Sequence, residues 1–368
     1  KYFNNKQFFH ASLIMGLYSF VQKHIVTLKR IFKVLKLGKF AVFHPVQFAK
    51  KVKHKLVYKR VIKHGIGMED VVSAARKQSK LRGEKQISVI IPNYNYEHYM
   101  LERLYSILYQ QEKIGEIIIL DDNSTDNSVE LAKKIQKKIS NLVSIRLINN
   151  EVNRGTFSQW ELGFNEAQYE YVWIAEADDY SSNKFLKSAL VPLRNNENVV
   201  ISYVNTGYVD GKGVLFGNVK NDIDYQRSGH WDADYVINGL IEAKTYTYLN
   251  NTIANVSSVV FRKKKSIKYS SLFKEARKYR QAGDWVFYVN YMLYGDVAYT
   301  DKVLNYYRVH GNNVSSTTKA HDHINEILRI QKMFNKKLEL NTRQKAKVAK
   351  RIKMLEKAWG IKSKINGR

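Results

Sequence analysis

Residues 87–122 read ISVIIPNYNYEHYMLERLYSILYQQEKIGEIIILDD, and two periodicities alternate within them. ISVII (87–91) and EIIIL (116–120) are continuous apolar runs, which is the pattern of strands buried on both faces. Between them, residues 95–110 repeat apolar side chains every three or four positions, which predicts an amphipathic helix. A strand, a helix and a second strand in this order predict a βαβ unit with parallel strands.

The same alternation continues over the next hundred residues. Further apolar runs predict strands at LVSIRLI (142–148), YVWIA (171–175) and NVVISYV (198–204). Helical patterns separate the second strand from the third and the third from the fourth. The chain is therefore predicted to have an α/β fold built on a parallel sheet.

Polar residues follow four of these strands. Ligands of open parallel sheets bind beyond the carboxyl ends of the strands, so the residues there are candidate site residues. The segments are Pro92–Asn95, Asp121–Asp122, Arg154–Thr156 and Glu176–Asp179. Three acids within residues 176–179 repel one another unless a cation or a hydrogen-bond donor offsets their charge. Because the chain has no cysteine, ligation by oxygen favours Mg²⁺ or Mn²⁺.

Structural roles remain open for each segment. Residues 121–126 contain Asp, Asn and Ser, which also cap helices, and Gly155 could simply supply a positive φ. Residues 176–179 could form a solvated turn, but the apolar run before them favours a functional site. No GxGxxG after the first strand, no GxxxxGK[ST] and no GxSxG occurs, which disfavours a dehydrogenase-type dinucleotide fold, a P-loop ATPase and an α/β-hydrolase.

The net charge of +28 comes from the two ends of the 368-residue chain. Residues 1–86 carry +17 and residues 319–368 carry +11, so the part between them is neutral. The basic segment 50–60 has no zinc-finger, helix-turn-helix or RNA-recognition motif around it, and we predict no nucleic-acid binding. The chain begins at Lys1 and is expected to be a piece of a longer protein.

Both basic flanks have two possible roles. Residues 24–43 mix apolar side chains with lysine, a composition suited either to an anionic membrane surface or to packing on the next domain. The uncharged run 7–22 is shorter than a membrane span requires. Apolar spacing predicts two helices within residues 320–360. Their lysine-rich faces could attract anionic lipid, diphospholipid acceptors or only water.

Six motifs occur in the order found in family 2 glycosyltransferases of the GT-A fold. They are ISVIIPNYN, LDDNSTDNS, NRGTF, YVWIAEADDY, GDW and YYRVHGNNVS. The chain resembles this family over about residues 86–318, and it resembles especially the bacterial enzymes that build O-antigen, capsule or other surface polysaccharides. The resemblance implies a mixed, mainly parallel sheet flanked by helices. Residues 86–204 would form the nucleotide-binding half and 205–318 the acceptor half, with basic helical extensions at 1–85 and 319–368.

The resemblance also implies a role for individual residues. Asp284 matches the catalytic base, Asp178 a metal ligand and Asp179 a contact to the donor sugar. His310 resembles a histidine used on the metal or diphosphate, although a structural role is the alternative, and Arg308 would assist at the diphosphate. The residues that would bind the nucleotide are Pro92, Tyr94, Asn95, Asp122, Arg154, Gly155 and Glu176. Two positions depart from the family: Glu176 replaces the usual Asp, and Gly283 replaces a frequent Glu.

By the same resemblance, the chain would be a Mn²⁺- or Mg²⁺-dependent inverting glycosyltransferase with a UDP- or dTDP-sugar donor. The acceptor would be a saccharide, lipid-linked or part of a polysaccharide. The aromatic residues Trp231, Tyr246 and Tyr248 could stack on it or belong to the core. The location would be cytoplasmic, including the inner face of a bacterial membrane. The alternative is a catalytically inactive module for carbohydrate binding or scaffolding, which the departures at Glu176 and Gly283 leave open.

Overall fold

The computed structural model describes residues 61, 63, 65–224, 228–310 and 320–361. The chain divides into two compact units, one of residues 1–56 and 310–317 and the other of residues 57–309 and 318–368. Of the first unit, the structure describes His310 alone. The basic segment 24–43 lies outside the described residues, so its membrane role stays a prediction.

The second unit is built on one mixed sheet in the order β3-β2-β1-β4-β9-β6-β10-β5, with β7 paired to β6 and β8 to β10. The strands are β1 (Ile87–Asn93), β2 (Glu116–Asp121), β3 (Ile145–Asn149), β4 (Tyr171–Ile174), β5 (Tyr180–Ser181), β6 (Val199–Val209), β7 (Leu215–Asn218), β8 (Tyr235–Asn238), β9 (Val259–Arg262) and β10 (Asp296–Arg308). Strands β1 to β4 run parallel, as do β6 and β10. Strand β9 runs antiparallel between β4 and β6 and joins the two groups.

Helices cover both faces of this sheet. They are α1 (Met68–Ser79), α2 (Glu97–Leu108), α3 (Ser128–Ile139), α4 (Thr156–Glu166), α5 (Phe185–Asn195), α6 (Lys220–Ile223), α7 (Gly239–Glu242), α8 (Tyr269–Ala276), α9 (Gly283–Met292), α10 (Ala320–Lys337) and α11 (Thr342–Ala358). A π-helical turn, Ala243–Thr247, continues α7. Within the described part of the chain, none of the helices is both long enough and apolar enough to cross a bilayer.

Strand β1 shows how the sequence creates two cores. Because side chains alternate across a strand, Ile87, Val89 and Ile91 join one apolar cluster, with α1, α2, α3 and α5. Ile90 joins the other cluster, with α4, α8, α9, α10 and α11. Both faces of β1 are buried, which explains its uninterrupted apolar sequence. The α/β fold predicted from the sequence is therefore confirmed, with a mixed and mainly parallel sheet.

Helices near both ends of the described residues pack into the two apolar clusters. Val71 and Ala75 of α1 are fully buried in the first cluster, and the Gln78 amide donates to the Glu112 carbonyl at 3.1 Å. At the other end, Phe334 of α10 is fully buried in the second cluster. Helices α1, α10 and α11 therefore belong to the compact unit that contains the sheet.

Candidate active site

The loops after β1 and β2 are tied together at the carboxyl edge of the sheet. The Asn93 amide donates to Asp121 Oδ2 at 2.7 Å. Asn95 has a φ of +58°, and its Oδ1 accepts from the Thr125 backbone amide at 2.7 Å. Pro92 is buried within β1 and Tyr94 is 46% exposed. The structure therefore brings the two predicted nucleotide-binding loops to one place.

Asp122 holds the loop that precedes α4. Its Oδ1 accepts from the Arg154 backbone amide at 2.9 Å, and its Oδ2 accepts from the Gly155 amide at 2.8 Å. The side chains of Asn150 and Gln159 also donate to this buried carboxylate. Gly155 has a φ of +80°, a conformation that favours glycine. Asp122, Arg154 and Gly155, which the sequence places in the nucleotide pocket, thus form one local structure.

The three acids after β4 lie close together and are largely withdrawn from water. Burial, and then the charge of Asp178, raise the pKa of Glu176 to about 8 and that of Asp179 to about 6. Glu176 accepts a 2.9 Å hydrogen bond from the Trp160 indole. Asp178 is 7% exposed. This concentration of carboxylates is the kind that a cation stabilises.

Two buried arginines lie behind the acids. Arg308 donates from Nε to the Asp178 carbonyl at 2.8 Å and from Nη2 to Glu102 at 2.8 Å. Arg103 is fully buried, and burial lowers its pKa to about 10, against the opposing charges of Asp179, Asp178 and Glu176. Its Nη1 donates to Ser181 Oγ at 3.0 Å. Arg308 thus supports the backbone of residues 176–179, the acidic loop. Its contact to a diphosphate stays a prediction.

Asp284 lies in the first turn of α9. Its Oδ1 accepts from the Trp285 backbone amide at 2.7 Å, and its Oδ2 accepts from the Asn251 side-chain amide at 2.9 Å. Burial raises the pKa of Asp284 to about 7. A carboxyl group with a pKa near neutrality is suited to accept a proton at working pH.

The loop of residues 251–255 contacts both Asp284 and the acidic loop. Asn251 donates to Asp284, and Asn255 donates to Asp179 Oδ2 at 2.8 Å. Because four residues of extended chain span at most about 14 Å, Asp284 and Asp179 border the same short segment. The pKa of Tyr288, raised mainly by burial, is raised further by the charges of both Asp284 and Glu176. The structure therefore places the predicted base and the acidic loop at one site.

The acidic loop has the donor chemistry of a Mg²⁺ or Mn²⁺ site. These ions prefer oxygen ligands and commonly take one or two carboxylates together with substrate phosphates and water. Asp178 and its neighbouring acids match that donor set, and a bound cation would relieve their mutual repulsion. Within the described ranges, no cluster of three or more acidic or histidine side chains forms a complete ligand set. His310, predicted as a ligand, belongs to the other compact unit.

Three contacts at this site, two with the acidic loop and one with Asp284, had no distinct signal in the sequence. Ser257 Oγ accepts from the Glu176 backbone amide at 3.0 Å. Asn251 and Asn255 contact the carboxylates, and all three residues precede β9 in the polar segment NNTIANVSS (250–258). Polar residues before a strand usually indicate only a loop. The six amide or hydroxyl side chains of this segment are the one available hint.

Gly283, the second departure from the family, has a steric explanation. A Cβ at this position would lie 2.4 Å from the Ala276 carbonyl oxygen and 2.5 Å from the Phe157 ring. Atoms cannot approach that closely, so α9 can begin here only with glycine unless neighbouring backbone moves. The absence of a second acid next to Asp284 is thus a consequence of how α9 packs on α4 and α8.

Comparisons with known proteins agree with this architecture. Residues 88–264 match the family described as Glycosyl transferase family 2. An uncharacterized glycosyltransferase of Haemophilus influenzae is 30% identical over 141 residues, which are 38% of this chain and 55% of the relative. The poly(ribitol-phosphate) beta-N-acetylglucosaminyltransferase TarS of Staphylococcus aureus is 30% identical over 131 residues, 35% of this chain and 22% of TarS.

The fold has a counterpart among solved structures. Residues 1–349 of S. aureus TarS, solved with UDP-GlcNAc, superpose with a TM-score of 0.53 at 20% identity. The superposition covers 74% of this chain and 73% of that one. Over residues 88–264 the chain is similar to glycosyl transferase family 2, and its fold is the GT-A fold of this TarS structure.

Proposed function

We propose that the chain is a metal-dependent inverting glycosyltransferase that uses a UDP- or dTDP-sugar. The observation that carries the proposal is the loop of residues 251–255, which bonds to Asp284 at one end and to Asp179 at the other. The base Asp284 and the acidic loop 176–179, which would face the donor's diphosphate, must border the same short segment if both are to act at one anomeric carbon. TarS is named as a glycosyltransferase and has been solved with UDP-GlcNAc, which supports a nucleotide-sugar donor.

The acidic loop would bind the donor through a divalent cation. Asp178 would hold the ion and Arg308 would assist at the diphosphate, and the role of His310 as a metal ligand stays a prediction. When bound, the ion supplies Lewis-acid stabilisation of the departing nucleoside diphosphate. Asp179 would contact the donor sugar. Pro92, Tyr94, Asn95, Asp122, Arg154, Gly155 and Glu176 would hold the nucleotide.

Asp284 would act on the acceptor. Its carboxylate would take the proton of an acceptor hydroxyl as that oxygen attacks the anomeric carbon. The bond from the anomeric carbon to the diphosphate oxygen breaks on the opposite side, so the anomeric configuration inverts. The resemblance to bacterial enzymes of surface-glycan synthesis supports a saccharide acceptor, lipid-linked or in a polysaccharide.

The test is release of nucleoside diphosphate from a panel of UDP- and dTDP-sugars with Mn²⁺, repeated with EDTA. In Asp284→Asn, kcat should fall at least about 100-fold, the usual contribution of a general base. Glu197→Gln, which changes an exposed acid, serves as the matched control and should keep wild-type turnover. Full turnover in Asp284→Asn would overturn the assignment of the base.

The panel also separates this proposal from the second candidate, an inactive carbohydrate-binding or scaffolding module. Gly283 was one reason to consider that candidate, and its packing against Ala276 and Phe157 now gives the glycine a structural cause. Failure of every donor to react, with Mn²⁺ and a mixture of saccharide acceptors present, would favour the inactive module.

A further inference from the structure

A separate cavity lies beside the loop that contacts Asp284. Its volume is about 120 Å³, and its walls include Ser228, Trp231, Tyr246, Leu249, Asn250 and Lys347. Aromatic and apolar surface combined with a few polar groups is the usual composition of a small-molecule site. The cavity adjoins the half of the chain predicted to bind the acceptor.

The aromatic wall is held in place by its own contacts. The Tyr246 ring stacks on the His230 ring, with centroids 3.7 Å apart and an interplanar angle of 9°. The His230 ring is fixed by a 2.8 Å hydrogen bond between Nε2 and Glu242. The Trp231 indole donates to Tyr203 Oη at 2.9 Å. His230 thus covers one face of the Tyr246 ring, and Tyr246 lines the cavity.

The polar wall, in contrast, has unused hydrogen-bonding groups. The side chains of Asn250 and Lys347 form no hydrogen bond or ion pair with another described residue, whereas the neighbouring Asn251 and Gln344 both do. A planar aromatic surface flanked by an amide and an ammonium group suits a ring that carries several hydroxyls. These groups can donate to and accept from sugar hydroxyls without disrupting an existing contact.

The cavity is connected to the proposed base through adjacent residues. Asn250 lines it, and the next residue, Asn251, donates to Asp284. The Trp285 indole, one residue beyond Asp284, donates to the Thr247 carbonyl at 2.7 Å. The segment that forms one cavity wall is thus attached to the first turn of α9, so a ligand in the cavity would lie near the reacting hydroxyl.

Helix α11 brings Lys347 to the cavity. Asn341 and Gln344 form a reciprocal cap at the start of this helix, and Gln344 Nε2 donates to the Lys244 carbonyl in the π-helical turn at 2.6 Å. Lys347 follows Gln344 by three residues and therefore lies on the same helix face. The basic C-terminal segment thus contributes a cation to this site in addition to its packing role.

We propose that this cavity binds a saccharide unit of the acceptor, with the sugar ring against Tyr246 and hydroxyl oxygens on Asn250 and Lys347. The proposal rests on the proposed function, since it names where the acceptor of that reaction sits. It also gives the C-terminal helix α11 a part in acceptor recognition.

Saturation-transfer NMR on the full chain tests the proposal without turnover. The probes are methyl β-glucopyranoside, methyl β-galactopyranoside and methyl N-acetyl-β-glucosaminide. We expect transfer to at least one of them, reduced about fivefold or more in Lys347→Ala and in Asn250→Ala, the effect of losing one hydrogen bond. Lys350→Ala, an exposed lysine of the same helix, is the matched control and should keep the wild-type signal.

Two results would overturn the proposal. One is no transfer to any of the three glycosides from the wild-type chain, and the other is an undiminished signal in both Lys347→Ala and Asn250→Ala. Nucleoside diphosphate release, measured separately, tests the transferase itself. A chain that turns over donor but binds no glycoside would therefore refute this inference while leaving the proposed function intact.

Discussion

Asp284 illustrates how burial sets the chemistry of a single residue. Removal from water raises its pKa to about 7, while hydrogen bonds from Asn251 and from the Trp285 amide act in the opposite direction. The base form therefore dominates above neutrality and the protonated form below it. Only the base form can accept the acceptor's proton, so activity should follow this ionisation.

We predict that kcat/KM for the acceptor falls about tenfold per pH unit below pH 7 and is level above it. In Asn251→Ala, the hydrogen-bond donor that lowers the pKa of Asp284 is lost. The fall in kcat/KM on the acidic side should therefore begin at a higher pH. The measurement is a pH–rate profile at saturating Mg²⁺. Asn141→Ala, an exposed asparagine, is the control. A limb that stays in place in Asn251→Ala would contradict the role given to that hydrogen bond.

The close packing around Gly283 leads to a prediction about the free energy of unfolding. Gly283→Ala forces a methyl group against the Ala276 carbonyl and the Phe157 ring, and overpacking of this kind lowers the free energy of unfolding by about 1–3 kcal/mol. Gly211→Ala is the control because nothing lies within 4 Å of its added methyl group. Urea unfolding should show a lower midpoint for the first variant alone. Equal midpoints would mean that α9 shifts easily.

At the scale of elements, the sequence predicted most of the first half of the sheet and little of what completes the site. Strands β1, β2 and β4 lie within two residues of their predicted bounds because uninterrupted apolar runs have few other structures available. Strand β9 lies antiparallel between β4 and β6, and nothing in its local sequence indicates this position in the sheet. Residues 250–258 form no strand and no α-helix, so their contacts with the acids depend on tertiary packing that periodicity does not encode.

That loop gives the next prediction. Asn255 is buried, donates to Asp179 and accepts from the Asn305 amide at 2.8 Å. Its replacement by alanine removes one buried hydrogen bond from each partner, which costs about 1–3 kcal/mol. We expect the dissociation constant of the UDP- or dTDP-sugar to rise about tenfold, measured by calorimetry with Mg²⁺. The exposed Asn221→Ala is the control, and unchanged affinity in Asn255→Ala would contradict the expectation.

At the scale of the whole molecule, the C-terminal helices complete the core under α9. Phe334 of α10 is fully buried, and its ring lies 5.4 Å from that of Trp285, the residue after Asp284. The spacing of Ile324, Ile327, Leu328 and Phe334 predicted one apolar face; the structure buries the first two and Phe334, whereas Leu328 is 38% exposed. The sequence could not show that this face closes the second apolar cluster, because that cluster extends to Ile90, 244 residues before Phe334 in the chain.

We predict that Phe334→Ala lowers the free energy of unfolding by about 3–5 kcal/mol, the cost of an unfilled aromatic cavity. Met354→Ala on α11, where the methionine is 46% exposed, should change it by less than about 0.5 kcal/mol. Urea unfolding followed by circular dichroism measures both. Similar losses in the two variants would show that these helices contribute through something other than core packing.

The π-helical turn Ala243–Thr247 has a consequence for how this protein can diversify. Such a turn holds one residue more than an α-helical turn of the same rise. Deleting a single residue there would allow the segment to rewind as α-helix, which would shift the side chains within the turn by about 100° about the axis while the residues after it keep their positions. Tyr246 would then leave the His230 ring. A one-codon deletion could thus exchange the aromatic floor of the cavity for another side chain without altering the sheet.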